Sequence, residues 1–415
     1  MTNNLSCFKK YDIRGIVGDS ITAETCYLIA KSFAMHLKAK LVVVGRDARE
    51  SSPTLCNAIK DALCETGVEV LDIGLSGTEE MYCATSEFNA CGGIQVTASH
   101  NGIRYNGLKM VKKNSIPLDP EEDLEIIKKN IIANNYVALS KIGSTKDIIE
   151  ESKKKYLQKI FSIVGRPKLR KLNIVVNSLC GSAPPVIDLI ESELVKHNSA
   201  FILHKMNHEP NGNFPNKKPD PLVIENQLET KNEILKHEAD FGVIFDGDFD
   251  RCFFLDEMGN FISGEYIVGL FAEWFLIGNK KKAETIVYDN RVIWNIEEIV
   301  NRLGGKSFKS KTGHAYMKQE MRNNNAIYGG ELSSHHYFRD FLFCDSGVIP
   351  WLTLASILSV SKKTLSELVE MRQDLFPSSG EKNFRLLDPK KSMKKIGRAH
   401  VRTPVTSQSR MPSSA

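Results

Sequence analysis

The sequence has no Cys-x-x-Cys pair, no apolar run of bilayer length, and no dense Lys/Arg block with interleaved aromatics. Its nine cysteines are dispersed and odd in number. That excludes a disulfide miniprotein and points to reduced thiols, most of them small buried apolar groups. Met1–Gly15 is polar and charged, without the apolar core of a signal peptide. The most apolar stretch, Tyr266–Gly278, is interrupted by Glu273 and reads as a buried helix. The net charge of +5, from 55 basic and 50 acidic residues, is weak for this length. Nucleic acid is therefore excluded as a partner. The runs Lys153–Lys155 and Lys280–Lys282 read as solvated faces. A cytoplasmic protein with no membrane partner is expected; nothing in the sequence fixes an oligomeric state.

What is there is ordinary globular material: 42% hydrophobic and 25% charged residues in a chain of 415. Such a chain can bury a large core and divides into about three domains. Short β-branched runs alternate with amphipathic stretches. Leu41–Gly45, Val68–Gly74, Ile94–Thr97, Leu172–Asn177, Phe241–Phe245 and Thr285–Tyr288 read as strands. Cys56–Thr66, Pro185–His197, Glu265–Ile277 and Trp294–Leu303 read as helices. This alternation predicts an α/β protein of three consecutive domains with mixed sheets around a central cleft. Three polar loops, Ala98–Asn101, Asp246–Arg251 and Glu331–His336, each follow a short strand. Ligands in open α/β sheets bind beyond the carboxyl ends of strands, so the three loops are expected to face one cleft. The turn-rich segment Asn207–Pro221 should lie in the second domain and reach toward a neighbour.

The clearest chemistry is Asp246-Gly247-Asp248-Phe249-Asp250-Arg251. Three carboxylates at alternate positions can fold around one hard cation such as Mg²⁺, with Gly247 letting the backbone turn. Arg251 would serve beside it as a phosphate-oxygen donor. An EF-hand fails here: it needs Gly at the sixth position, where Arg251 stands, although Glu257 does fall at the twelfth. Thr97-Ala98-Ser99-His100-Asn101 also follows a strand, with Asn106-Gly107-Leu108-Lys109 soon after. On spacing alone Ser99 is either a nucleophile, a phosphate carrier or a plain turn residue. No G-x-S-x-G elbow supports a hydrolase.

Six strings in order settle the choice: KYDIRG (10–15), VTASHN (96–101), NGLK (106–109), FDGDFDR (245–251), SKTGHA (310–315) and GGELSSHHYFRD (329–340). Together they resemble the α-D-phosphohexomutase family, within it the bacterial phosphomannomutases that feed GDP-mannose biosynthesis. The resemblance runs from Cys7 to Leu387. It implies that Ser99 carries a phosphoryl group and that Asp246, Asp248 and Asp250 hold Mg²⁺ together with an oxygen of phospho-Ser99. It places Lys109 and His100 at proton transfer, and Arg14 and Arg251 near the phosphoserine. Glu331 and Ser333 match ligands of the sugar hydroxyls. Lys311, Thr312, Gly313, His314 and His335 match groups lining the sugar side. A lowered Lys109 pKa, from neighbouring cations and partial burial, would suit a base. The implied reaction interconverts mannose 6-phosphate and mannose 1-phosphate through a bisphosphate intermediate, with hexose 1,6-bisphosphate as activator. A phosphoglucomutase or dual-specificity hexomutase is the alternative within the family. A truncated, non-catalytic module binding metal and sugar phosphate is the alternative from another class. A Mg²⁺-dependent phosphatase gives no role to the sugar loop. Smaller readings are that Gly45-Arg46-Asp47 stabilises the first domain and that His336 and Tyr337 pack behind the site.

The expected division is 1–147 with the phosphoserine loop, 148–258 with the metal loop and 259–370 with the sugar loop. Residues 371–395 then read as the start of a truncated fourth α+β domain, and 396–415 as a non-native, adapter-like tail. Loss of the fourth domain's phosphate loop is expected to impair this chain. Gly102 stands where the family usually has proline, which should loosen the serine loop modestly.

Overall fold

The computed structural model describes residues 4–9, 12–134, 142–167, 169–215, 218–278, 283–378 and 386–402, the last seven of these as backbone only. Lys10 and Tyr11 of the first string, Lys280–Lys282, part of the 207–221 loop, residues 379–385 and the side chains of the expected tail lie outside the described residues.

The chain divides into two compact units, residues 1–369 and 370–415. The second contains the helix Pro389–Arg402. The first holds three sheets. Strands β1 (Ile13–Ile16), β2 (Leu41–Arg46), β3 (Glu69–Leu75), β4 (Gly92–Val96), β5 (Tyr105–Lys112), β6 (Ile116–Pro117) and β7 (Thr145–Asp147) make one sheet. Its order is β1-β5-β4-β2-β3-β7, with β6 on β5. Strands β8 (Leu172–Asn177), β9 (Phe201–Met206), β10 (Phe241–Phe245), β11 (Cys252–Leu255) and β12 (Phe261–Ile262) run β12-β11-β10-β8-β9. Strands β13 (Thr285–Asp289), β14 (Lys306–Ser310), β15 (Tyr328–Gly330), β16 (His336–Phe338) and β17 (Cys344–Asp345) run β14-β13-β15-β16-β17.

One arrangement recurs in all three. A central strand (β2, β8, β13) pairs in parallel on both sides. One parallel neighbour (β4, β10, β15) then leads through a polar loop into an antiparallel partner (β5, β11, β16). The three motif loops are therefore topologically equivalent, each at the carboxyl end of a parallel strand. β10, buried along its whole length, reads as an unbroken apolar run because parallel strands are covered on both faces.

The apolar core is shared. One cluster joins Val43, Met81 and Tyr82 near the first sheet to residues of the second and third sheets as far as Val369. A second fills the first domain from Cys7 to Ile131. The helix Gly264–Gly278 is present and largely buried. Among the described residues no helix is long and apolar enough to cross a membrane. Seven of the nine free cysteines are buried, as small apolar groups should be.

Candidate active site

Ser99 sits three residues past β4. Its amide donates to Thr97 Oγ1 at 2.9 Å, an ST turn that carries Ser99 into the left-handed region at φ 49°. That conformation costs energy for a residue with a Cβ and persists only where the surroundings impose it. The side chain is 4% exposed. Its hydroxyl donates to Asp246 Oδ2 at 2.6 Å and receives Arg251 Nη2 at 3.2 Å. The His100 ring Nδ1 lies 3.3 Å from the same oxygen.

Gly247 has a different function from the one expected. The left-handed φ of the metal loop is taken by Phe249 at 45°. A Cβ on Gly247 would lie 2.6 Å from the Ser99 carbonyl oxygen. Glycine is needed there because the serine and metal loops touch, not because the chain turns.

Asp246, Asp248 and Asp250 are buried and can each place one oxygen within 4.8 Å of the others. Arg251 grips Asp246 Oδ2 through Nε at 3.0 Å and Nη2 at 2.8 Å. Lys109 Nζ holds Asp248 Oδ2 at 2.7 Å and also binds Asp250. Oδ1 of both Asp248 and Asp250 is buried without a partner. Unpaired buried carboxylate oxygens are costly, and a hard cation is the ligand that would satisfy them. The set therefore fits Mg²⁺. Burial, with Asp248 and Asp250 alongside, pushes the Asp246 carboxyl up to about 6 against the pull of Arg251. Burial acts likewise on Asp248 and Asp250, but Lys109, joined by Thr78 at Asp248 and by His335 and Arg251 at Asp250, holds both below the ordinary carboxylate range.

Lys109 departs from expectation. Burial alone would lower its pKa, but Asp248, Asp250, Asp246 and Asp345 together raise it. The net shift is upward rather than downward because carboxylates surround the ammonium. Burial, Arg251 and Arg14 lower the His100 imidazole to about 2, so it is neutral and its Nδ1 accepts from Arg251. Arg14 reaches the serine loop through Asn101 Oδ1 at 2.7 Å and pairs with Asp12 at 2.7 Å. Its Nε is buried and unpartnered, a free donor close to that loop.

On the third loop, Glu331 accepts from the Gly313 amide at 2.9 Å and the Tyr337 hydroxyl at 2.6 Å. Burial opposes its ionisation, but His335, Tyr337 and the Gly313 amide bring it down to about 2. His335 Nδ1 lies 3.0 Å from Ser333 Oγ and 3.3 Å from Glu331 Oε2. His335 also joins Asp250 and Asp345 in a close group, so the sugar loop meets the metal loop. His314 and Lys109 line one small cavity with Asp12, Tyr82 and Lys318. Lys311 and Thr312 are exposed; Lys311 lies over the Tyr316 ring and Thr312 donates to Asn290 Oδ1 at 2.9 Å.

Sequence reasoning missed several supports. Thr78 donates to Asp248 Oδ2. Lys318 pairs with Asp345 at 2.9 Å and donates to the Tyr82 hydroxyl at 2.8 Å. Glu79 receives the Gly347 and Val348 amides at 3.1 and 3.3 Å. The helix Thr78–Glu87 carries three of these groups in a string, TEEMYCATSE, that looks like a surface face.

A serine held between an arginine and three buried carboxylates, where parallel strands end, defines a phosphoryl-transfer enzyme on an α/β scaffold. The comparisons agree. Residues 6–136, 154–259 and 263–375 match phosphoglucomutase/phosphomannomutase alpha/beta/alpha domains I, II and III. A phosphomannomutase of Escherichia coli K12 is 44% identical over 394 residues, covering 94% of this chain and 86% of that protein. The crystal structure of a phosphoglucomutase/phosphomannomutase family protein from Burkholderia thailandensis matches at TM-score 0.80 and 30% identity, over 90% of this chain and 80% of that one. An N-acetylphosphoglucosamine mutase of Aspergillus fumigatus, in complex with GlcNAc-6P and magnesium, shares the fold at TM-score 0.54 and 15% identity, over 88% and 79% of the two chains. This chain belongs to the α-D-phosphohexomutase family, among relatives of the bacterial phosphomannomutases.

Proposed function

We propose that this chain is a phosphomannomutase, a cytoplasmic enzyme interconverting mannose 6-phosphate and mannose 1-phosphate with Ser99 as phosphoryl carrier. The observation that carries the proposal is the 2.6 Å contact between Ser99 Oγ and Asp246 at the head of the buried carboxylate loop. The 44% identity to the Escherichia coli phosphomannomutase supports the sugar assignment. Dividing the chain after residues 147, 258 and 370 gives each of the three domains one motif loop.

Asp246, Asp248, Asp250 and the oxygen on Ser99 would hold Mg²⁺, which supplies charge neutralisation on the phosphoryl group in transfer. Hexose 1,6-bisphosphate would charge Ser99 at the start. In the forward half-reaction the Ser99 Oγ–P bond breaks, the free sugar hydroxyl forms a new O–P bond, and the hydroxyl's proton passes in net to the freed Ser99 Oγ. Arg251 already contacts Ser99 Oγ and stabilises charge there. Lys109, a cation in this site, neutralises and can protonate an oxygen leaving phosphorus. It could serve as base only once parted from Asp248 and Asp250. In the return half-reaction Ser99 takes the other phosphoryl group, and Asp246 Oδ2 is placed to accept its hydroxyl proton. Glu331, Ser333 and His335 would orient the sugar hydroxyls, with Lys311, Thr312, Gly313 and His314 at the rim. Arg14 would use its free Nε on a phosphate oxygen.

Turnover of mannose 1-phosphate, assayed beside glucose 1-phosphate with added hexose 1,6-bisphosphate, tests this reading. Wild type is expected to turn over the mannose ester, and Ser99→Ala to fall to background while still binding Mg²⁺ by calorimetry. Undiminished activity in Ser99→Ala would remove the phosphoserine mechanism.

A further inference from the structure

We propose that Arg49 is a positioning residue that sets Ser99 for phosphoryl transfer, clasped in place by Phe214 from the second domain; the inference rests on the phosphoserine reading above. The hydrogen bonds of Arg49 go to Asp47 and to main-chain carbonyls of the serine loop, not to the carboxylates of the metal loop. It is 1% exposed and lies in the loop after β2. Its guanidinium uses every donor it has. Nε goes to Asp47 Oδ2 at 3.0 Å. Nη1 goes to the carbonyls of Gly102 and Tyr105, both at 3.1 Å. Nη2 goes to the carbonyls of Ser99 and Asn101, both at 2.7 Å.

A guanidinium presents five N–H groups in one rigid plane, so these four carbonyls are held in a fixed arrangement. They span residues 99–105, the whole loop that carries Ser99. The left-handed backbone at Ser99, entered through the Thr97 turn, is thus held from its own carbonyl oxygen as well, and the direction of Oγ follows from that backbone. Asp47 supplies the counter-charge and is itself fixed by the Arg49 amide at 3.0 Å and the Ser52 hydroxyl at 2.6 Å.

The clasp comes from the Asn207–Pro221 loop. The Phe214 ring lies 5.1 Å from the Arg49 guanidinium and is 4% exposed. Gly212 packs so tightly that a Cβ there would lie 2.4 Å from the Ala48 carbonyl oxygen. Asn213 donates to Glu50 at 2.6 Å. One arginine therefore ties the phosphoryl-carrying loop to the domain that supplies the metal carboxylates. Arg49 also holds the carbonyl of Gly102, the position where the family usually has proline.

The test is the rate at which hexose 1,6-bisphosphate phosphorylates Ser99, followed by mass spectrometry of the whole protein. Arg49→Lys keeps the charge but offers three donors from one point, so the plane of contacts is lost. It is expected to slow phosphoryl transfer at saturation by about tenfold or more, with half-saturation and Mg²⁺ affinity little changed. Arg49→Ala should regain rate on addition of free guanidinium, which a merely destabilised fold would not do. Phe214→Leu should show a smaller loss in the same rate and serves as the deciding variant if Arg49→Lys does not fold. Wild-type rates in both Arg49→Lys and Phe214→Leu would overturn the inference alone. No phosphorylation of Ser99 in the wild type would overturn the phosphoserine reading and this inference with it.

Discussion

At the scale of single residues, the site is a balance of buried charges in which each group sets its neighbour's state. Lys109 shows this best. The family resemblance implied a proton-transfer role that neighbouring cations and partial burial would suit to a base, but the fold brings in four carboxylates from other segments. No spacing rule could give that sign, because Asp248 and Asp250 are more than a hundred residues away in sequence. The three Asp were legible because their alternation is what metal chemistry requires, whereas Ser99 was ambiguous on spacing and was singled out only by the family resemblance. Thr78 was not, because one threonine before two glutamates has no signature of its own. Its hydroxyl donates to Asp248 and orients that carboxylate from behind. Groups hydrogen-bonded behind a metal ligand commonly alter affinity by about 10–100-fold when removed. Thr78→Val is accordingly expected to weaken Mg²⁺ binding by about tenfold in calorimetry, with the melting temperature nearly unchanged. Equal affinities would mean that Lys109 alone orients Asp248.

At the scale of elements, central strands were readable and edge or interface pieces were not. β8 and β10 appear where the apolar runs are, because strands covered on both faces are mostly apolar, β10 throughout and β8 apart from Asn173 and Asn177. The helix Val348–Ser361 went unread for a related reason. It is buried around most of its circumference, so it shows no helical period. The helix Thr78–Glu87 has the opposite disguise: Thr78, Glu79 and Glu80 are buried because they bind Asp248, Gly347 and Lys153 in other domains. The β15–β16 hairpin carries a third kind of hidden group. His336 is wholly buried, beside the Tyr328 hydroxyl at 2.7 Å and edge-on to Phe271. Burial, with His335 nearby, lowers its imidazole to about 3 from the ordinary 6.5. The unfolded chain therefore binds a proton below pH 6.5 that the folded chain refuses. Stability contributed by the neutral ring is present above that pH and is lost progressively as pH falls toward 3. The loss is up to about 1.4 kcal/mol per pH unit. Urea midpoints at pH 7 and pH 5 should differ more in the wild type than in His336→Phe, even though the variant is weaker at pH 7 for want of the Tyr328 contact. Parallel pH dependences would show that other groups govern acid unfolding.

At the scale of the whole molecule, three sheets of one topology each deliver one loop, and the chemistry exists only where the loops meet. The sequence showed three polar loops after three strands, and the common cleft followed from the rule for strand ends. What it could not show is the set of contacts that keeps the loops in register. Lys318 is the clearest of these. It belongs to the third domain, yet its ammonium lies 4.1 Å from the ring centroid of Tyr82, which belongs to the first. Its partner Asp345 is likewise 1% exposed and sits beside Asp250 and His335. Both Asp345 oxygens lack aligned hydrogen bonds, so Lys318 meets the carboxylate as a charge rather than as a directed donor. Removing one member of such a pair strands the other, at a cost of about 3–5 kcal/mol, whereas replacing both by apolar groups can be nearly neutral. Lys318→Met alone should lower the urea midpoint severely and disturb the metal site through the uncompensated charge on Asp345. Lys318→Met with Asp345→Leu should recover most of the stability. Its Mg²⁺ affinity then shows whether Asp345 serves the metal loop or only the seam between domains. If the double variant is as unstable as the single, the seam depends on the Tyr82 contact rather than on charge pairing.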